Sequence, residues 1–189
     1  MRQTLVFSDL HLSPRAPGDG AWMRFRQRSF FADDAFASLV EQLLGRLGNA
    51  PLEVVFNGDT FELDGAAAWS SGPRAPDEDQ GNEGSEAANL ERILDDHPAI
   101  VQAMGRLLER AERLVFVSGN HDQGLYFPEV QRRLRARLVA AALAPSCGPP
   151  DPALSERVVF RPWFHRTADG LHVEHAHQLD PDSAVPDPL

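Results

Sequence analysis

Three short apolar runs, Leu5-Val6-Phe7, LEVVFN (52–57) and LVFVS (114–118), are separated by segments whose apolar residues recur every three or four positions. This alternation constrains the fold more than any other property of the chain. A run of four to six apolar residues, rich in Val and Phe, predicts a buried strand. Between the first two runs, Phe36, Leu39, Val40, Leu43, Leu44 and Leu47 lie at helical spacing, and Gly48-Asn49 supplies a stop. Between the second and third, Leu90, Ile93 and Leu94 begin a helical pattern that breaks at His97-Pro98. It resumes through Val101, Met104, Leu107, Leu108 and Ala111. Pro98 suits the first turn of a new helix, where its missing N–H has no partner to lose. A further helix follows through Val130, Leu134, Leu138 and Leu143, with Arg132, Arg133, Arg135 and Arg137 as its solvated face. Strands that alternate with helices run parallel, so the predicted class is α/β. In such sheets ligands bind beyond the carboxyl ends of the strands.

The remaining sequence is read within that frame. VVFRPWF (158–164) and LHVEH (171–175) flank the turn signal Asp169-Gly170 and are expected to pair as a hairpin. Residues 65–88 are rich in Gly, Pro and acid, and predict a flexible loop inside a single domain covering 1–189. AWMRFRQRSFF (21–31) reads as a helix start with Trp22, Phe25, Phe30 and Phe31 inward and Arg24, Arg26 and Arg28 in water, or as a lining for a substrate entrance. The net charge of −10 argues against a nucleic-acid-binding face. It does not exclude a small anionic substrate, because bound cations reverse a local field. One cysteine, Cys147, excludes an internal disulfide. No apolar stretch approaches the length of a membrane span, and the first strand begins by about residue 4, so a cytoplasmic location is expected.

The strand ends carry the chemistry. The first strand ends in Asp9-Leu10-His11, and residues two apart on an extended backbone point to the same side. The second ends in Asn57-Gly58-Asp59-Thr60-Phe61-Glu62, the third in Gly119-Asn120-His121-Asp122, and a fourth apolar run in His175-Ala176-His177. Metal-binding residue types therefore recur at one edge of one sheet. SDLH, GDTFE, GNHD and a strand ending in His resemble, in that order, the successive motifs of the calcineurin-like metallophosphoesterases. The resemblance covers most of the chain. It implies a four-layer β-sandwich flanked by helices, with a two-metal centre at the strand ends and hydrolysis of a phosphomonoester or phosphodiester. SDLHL with GDTFE is also similar to the branch that hydrolyses UDP-2,3-diacylglucosamine, although that branch usually carries Arg where this chain has His121. A non-catalytic interaction module on the same fold is the alternative from another class.

The resemblance implies roles residue by residue. Asp9 and His11 would hold one divalent ion, Asp59 would bridge two, and Asn120 with His175 would serve the second. Mixed oxygen and nitrogen ligation suits Mn best, with Fe or Zn as alternatives. His121 would contact the phosphate and protonate the leaving oxygen, and Glu62 would orient it. The substrate would be a small phosphorylated molecule. Asp122 reads equally as a partner of the ligands or as a surface turn, whereas His97, His165 and His172 are placed outside the site. The family usually closes its site with Gly-His-x-His, and no such string follows His177. Either His175 is the lone histidine of the penultimate motif, with the closing motif on sequence this chain lacks, or His175-Ala176-His177 is a degenerate closing motif. Gly58 and Gly119 are expected where the backbone must approach the ligands closely.

Overall fold

The apolar runs do become neighbouring parallel strands. β1 (Gln3–Phe7), β2 (Leu52–Asn57) and β3 (Arg113–Val117) lie side by side, and β4 (Val158–Arg161) continues the sheet beyond β3. All three pairings are parallel. The computed structural model describes residues 2–15, 31–63, 82–144 and 152–184. Its helices are α1 (Asp33–Leu47), α2 (Glu83–Asp96), α3 (Pro98–Arg110), α4 (Pro128–Leu143) and the short α5 (Pro152–Arg157). None of the described helices is long and apolar enough to cross a membrane.

Alternation along each strand divides the side chains between two layers. Leu52, Val54 and Phe56 of β2, with Leu114 and Phe116 of β3, face the helices and join the main core with Leu90, Met104, Leu107 and Leu134. The register aligns Phe7, Phe56, Phe116 and Phe160 across all four strands. Their rings stack in sequence at centroid separations of 5.5, 4.9 and 5.6 Å. Each such pair contributes about 0.5–1.5 kcal/mol beyond the area it buries, so the ladder fixes the last residues of each strand just before the candidate ligands begin.

The other face is smaller. Val55, Val115 and Val117 pack against Val173 from a two-stranded antiparallel hairpin, β5 (Phe164–Arg166) and β6 (His172–Glu174). Glu53 and His165, both almost fully buried, meet at 3.1 Å across this layer. His165 is thus a packing residue of the second layer. The described architecture is a parallel four-stranded sheet with helices on one face and a hairpin on the other.

Three expectations change. VVFRPWF does not enter the hairpin whole: Val158–Arg161 joins the parallel sheet, and only Phe164–Arg166 pairs with β6. The chain bends at Pro162-Trp163, where proline has no N–H to give to a ladder. The turn expected at Asp169-Gly170 does form, with Gly170 at φ +95°. The segment 65–88 is not a loop throughout, because α2 starts at Glu83, capped by the Asn82 side chain accepting from the Ser85 N–H at 2.8 Å. Its residues 65–81 lie outside the described residues, as do Cys147, Trp22, Phe25, Phe30, Arg24, Arg26 and Arg28. The arginine face of α4 is only partly solvated. Arg137 bridges Glu91 and Asp95 on α2, and the Arg135 guanidinium lies 4.7 Å from the Phe160 ring centroid.

Candidate metal centre

Past the carboxyl edge of the sheet, the loops after β1, β2 and β3 remain tied by backbone hydrogen bonds. The Asp9 and His11 N–H groups donate to the carbonyls of Gly58 and Asp59 at 3.3 and 2.9 Å, and the Leu12 N–H donates to Thr60 at 3.0 Å. Leu63 N–H donates to the His121 carbonyl at 3.1 Å, which brings in the loop after β3. The backbone is held in an unusual form to achieve this. Asp9, His11 and Asp59 have φ of 56°, 47° and 48°, and Ala176, next to His175, has φ 64°. Among the described residues these are the only non-glycine positions in the left-handed region. Each costs of order 1–3 kcal/mol and persists where the surroundings over-determine it. Strain confined to three candidate ligands and the neighbour of a fourth marks a built site.

The side chains converge on Asp59, which is buried. Its Oδ2 lies 3.3 Å from His175 Nε2 and 3.9 Å from His11 Nε2, and His11 Nε2 is also 3.9 Å from Asp9 Oδ1. Two groupings have donor atoms within 4.8 Å of one another, one of Asp9, Asp59 and His175, the other of His11, Asp59 and His121. Asp59 belongs to both. The outer nitrogens of two candidate ligand histidines are already engaged. His175 Nδ1–H donates to the Asn57 carbonyl at 3.0 Å, and His11 Nδ1 meets Glu62 Oε1 at 2.6 Å. Both arrangements leave Nε2 facing the shared carboxylate, which is how metal-binding imidazoles are commonly oriented.

Glycine makes the close approach possible at two positions. A Cβ on Gly119 would stand 2.2 Å from Asp59 Oδ1 and 2.6 Å from its backbone nitrogen. A Cβ on Gly58, at φ +75°, would stand 2.3 Å from the His175 ring. The cradle, the strain and the mixed carboxylate–imidazole donor set all fit a pair of divalent ions.

The charges are those of a site organised around one carboxylate. Burial alone would raise the Asp59 carboxyl, but the hydrogen bond from His175, the His121 backbone N–H at 3.0 Å and the two imidazoles hold it at about 2. The hydrogen bond to Asp59, working against burial, raises His175 to about 9. Asp122 is fully buried, which pushes its carboxyl up to about 6 although it accepts from the Gly119 N–H at 2.7 Å and the Thr60 N–H at 2.8 Å. It fastens the loops after β2 and β3 together, so its surface-turn reading is excluded.

Two residues, Glu62 and His121, stand differently from the expectation. Glu62 reaches His121 Nδ1 at 3.4 Å, but its tighter partner is His11. His121 itself lies within ligand reach of His11 and Asp59, so its position suits metal binding as well as contact with a substrate. Asn120 sits half-buried in the same loop, and its carbonyl accepts from the Gln123 side chain at 3.2 Å. His177 is buried, outside both groupings, with Nε2 3.1 Å from the Gln178 amide and burial lowering its pKa. His172 is exposed and pairs with Glu174, away from the ligands. His97 is buried between Asp33 Oδ1 at 2.8 Å and the Ser13 carbonyl at 2.9 Å.

Comparisons of the chain with protein-family models, with curated proteins and with solved structures gave no match. The family resemblance therefore rests on the motifs.

Proposed function

We propose that the protein is a metal-dependent phosphoesterase of the calcineurin-like type, hydrolysing a phosphomonoester or phosphodiester at a two-metal centre. The observation that carries this reading is the pair of donor groupings that share Asp59. A carboxylate with two oxygens between two imidazole-bearing clusters suits a dinuclear site, and such sites serve phosphoryl transfer. On this reading the parallel sheet and the hairpin belong to the two sheets of a metallophosphoesterase sandwich.

Asp9, His11, Asp59, Asn120 and His175 would hold the ions, Mn best and Fe or Zn next. Bound there, two divalent ions neutralise a phosphoryl group and make water a nucleophile near neutral pH. His121, half-buried and 3.4 Å from Glu62, would donate a proton to a leaving oxygen. Asp59 must stay ionised for the centre to assemble, and its lowered pKa keeps it so.

Metal analysis joined to a panel of generic phosphomonoesters and diesters tests the proposal. Two ions per chain and hydrolysis of at least one ester class are expected. Asp59→Asn should lower metal occupancy. His121→Ala should keep the metal and slow turnover by roughly 10²–10⁴-fold. Metal loss in His121→Ala would make that residue a ligand instead of an acid, and a chain that binds no divalent ion would end the proposal.

A further inference from the structure

Beside the metal centre lies a cavity of about 450 Å³ between the loop after β1 and the first turns of α1 and α3. His11 lines it and also belongs to the grouping with Asp59 and His121, so one imidazole forms a wall shared by cavity and centre. Most of the other lining is hydrocarbon, with Leu10 and Leu12 from the loop, Phe36 and Leu39 from α1, Ile100 from α3, and Phe31; Ser13, Asp33 and His97 are its polar members. Phe31 is held rigidly, its ring centroid 4.1 Å from that of His97.

Both imidazoles that reach the wall are engaged through hydrogen bonds. His97 uses Nδ1 on Asp33 and Nε2 on the Ser13 carbonyl, and His11 uses Nδ1 on Glu62. A sugar or nucleobase entering here would lose its water partners and meet mostly hydrocarbon, with both imidazoles already committed, which costs about 1–3 kcal/mol per unmatched group. An apolar group loses nothing of the kind and gains by burial. The size agrees, because an apolar cavity of about 150 Å³ is enough for benzene. Leu39 at the wall keeps 44% of its surface exposed, leaving apolar area for a ligand to cover.

We propose that this cavity takes an apolar group, aryl or branched alkyl, of the phosphoester whose phosphate sits at the metal centre; the assignment rests on the phosphoesterase reading. It names the class of substrate, an ester joining phosphate to a hydrophobic group next to the scissile position.

Two measurements separate the cavity from the chemistry. The first is ligand-observed NMR of 1-naphthol with the metal-free protein, in wild type, Ala35→Trp and Leu39→Glu. Ala35 and Leu39 are exposed positions on α1 that line the cavity, so both variants are compatible with folding; Trp fills the space and Glu charges its wall. Naphthol should bind wild type and be lost from both variants. The second compares phenyl 4-nitrophenyl phosphate with methyl 4-nitrophenyl phosphate on manganese-loaded protein, where the leaving group is constant. The ratio of their kcat/KM values should favour phenyl by about tenfold or more, and should fall by a similar factor in each variant. Naphthol that does not bind wild type, binding that survives both substitutions, or a ratio near one overturns the cavity assignment. Hydrolysis of neither diester or of any monoester, with naphthol binding intact, overturns the phosphoesterase reading and leaves the apolar ligand site supported.

Discussion

On the proposed reading, metal binding at His175 would compete with a proton, and the structure sets the strength of that competition. The hydrogen bond to Asp59 raises the imidazole to about 9. A divalent ion that takes His175 Nε2 displaces that proton. With a pKa of about 9, the protonated ring outnumbers the free one by about ten to one at pH 8 and about 300 to one at pH 6.5. Apparent affinity for an ion that Asp9, Asp59 and His175 would hold should therefore fall about tenfold per pH unit below 9. Isothermal titration with manganese in buffers of different ionisation enthalpy reads both the affinity and the proton count, and close to one proton per ion is expected from this residue at pH 7.5. The metal-free protein should behave in the opposite way. His175, raised in the fold, contributes stability that is complete below its ordinary value of 6.5 and disappears as pH rises through about 9. Asp59, lowered in the fold, contributes stability that is complete above 3.8 and disappears as pH falls through about 2. The chelator-treated protein should thus melt highest between about pH 4 and 6.5, while metal affinity climbs above that window. A flat affinity from pH 6.5 to 9 with no proton released would refute the reasoning, because it would mean that His175 does not contact the ion.

Two further substitutions probe the cradle. Gly119→Ala drives a methyl into Asp59, whose backbone nitrogen cannot yield as a side chain would, and should cost about 1–3 kcal/mol in urea unfolding together with most of the metal affinity; an unchanged denaturation midpoint and metal content would show that the loop simply shifts. Glu62→Gln keeps the size of the side chain but removes the charge facing His11 Nδ1, and should weaken metal binding by roughly 10–100-fold in equilibrium dialysis. Were that variant to hold metal normally and lose only turnover, Glu62 would serve His121 alone.

What the sequence revealed and what it concealed divide along physical lines. The parallel strands were legible because Val54–Phe56 and Leu114–Val117 are buried on both faces, which leaves a continuous apolar run in each. The convergence of Asp9 and Asp59 was legible because strand ends of a parallel sheet share one edge; His175 was expected at an edge of that same sheet and instead reaches the site from β6 of the separate antiparallel hairpin, which that rule does not cover. The fate of 158–164 was not, since an apolar run carries no mark of which neighbour it will pair with, and only the break at Pro162 separates the parallel half from the hairpin half. Glu62 could be placed near the site by its position in GDTFE, but spacing along one loop says nothing about which of two rings it meets. The buried role of Asp122 and the cavity at α1 depend on segments far apart in sequence. His97 joins Ser13 and Asp33 across separations of 84 and 64 residues, beyond the reach of any periodicity.

The strained backbone at the candidate ligands explains why so much structure surrounds so few donor atoms. Left-handed φ at Asp9, His11 and Asp59 together costs of order 3–9 kcal/mol by the usual range per residue. A domain of ordinary stability cannot carry that unless each turn is fixed from several sides. The phenylalanine ladder fixes the strands immediately before the turns, and the Asp9, His11 and Leu12 amides bind the first loop to the second. Asp122, with one oxygen on the Gly119 amide and the other on the Thr60 amide, binds the second loop to the third. On the proposed reading, the protein holds its donor atoms near their working places before any ion arrives, and the energy of metal binding would not be consumed in folding the turns. Such preorganisation follows from the order of the layers: a rigid aromatic floor, strained turns tied across it by buried hydrogen bonds, and ligand side chains with their outer nitrogens already committed.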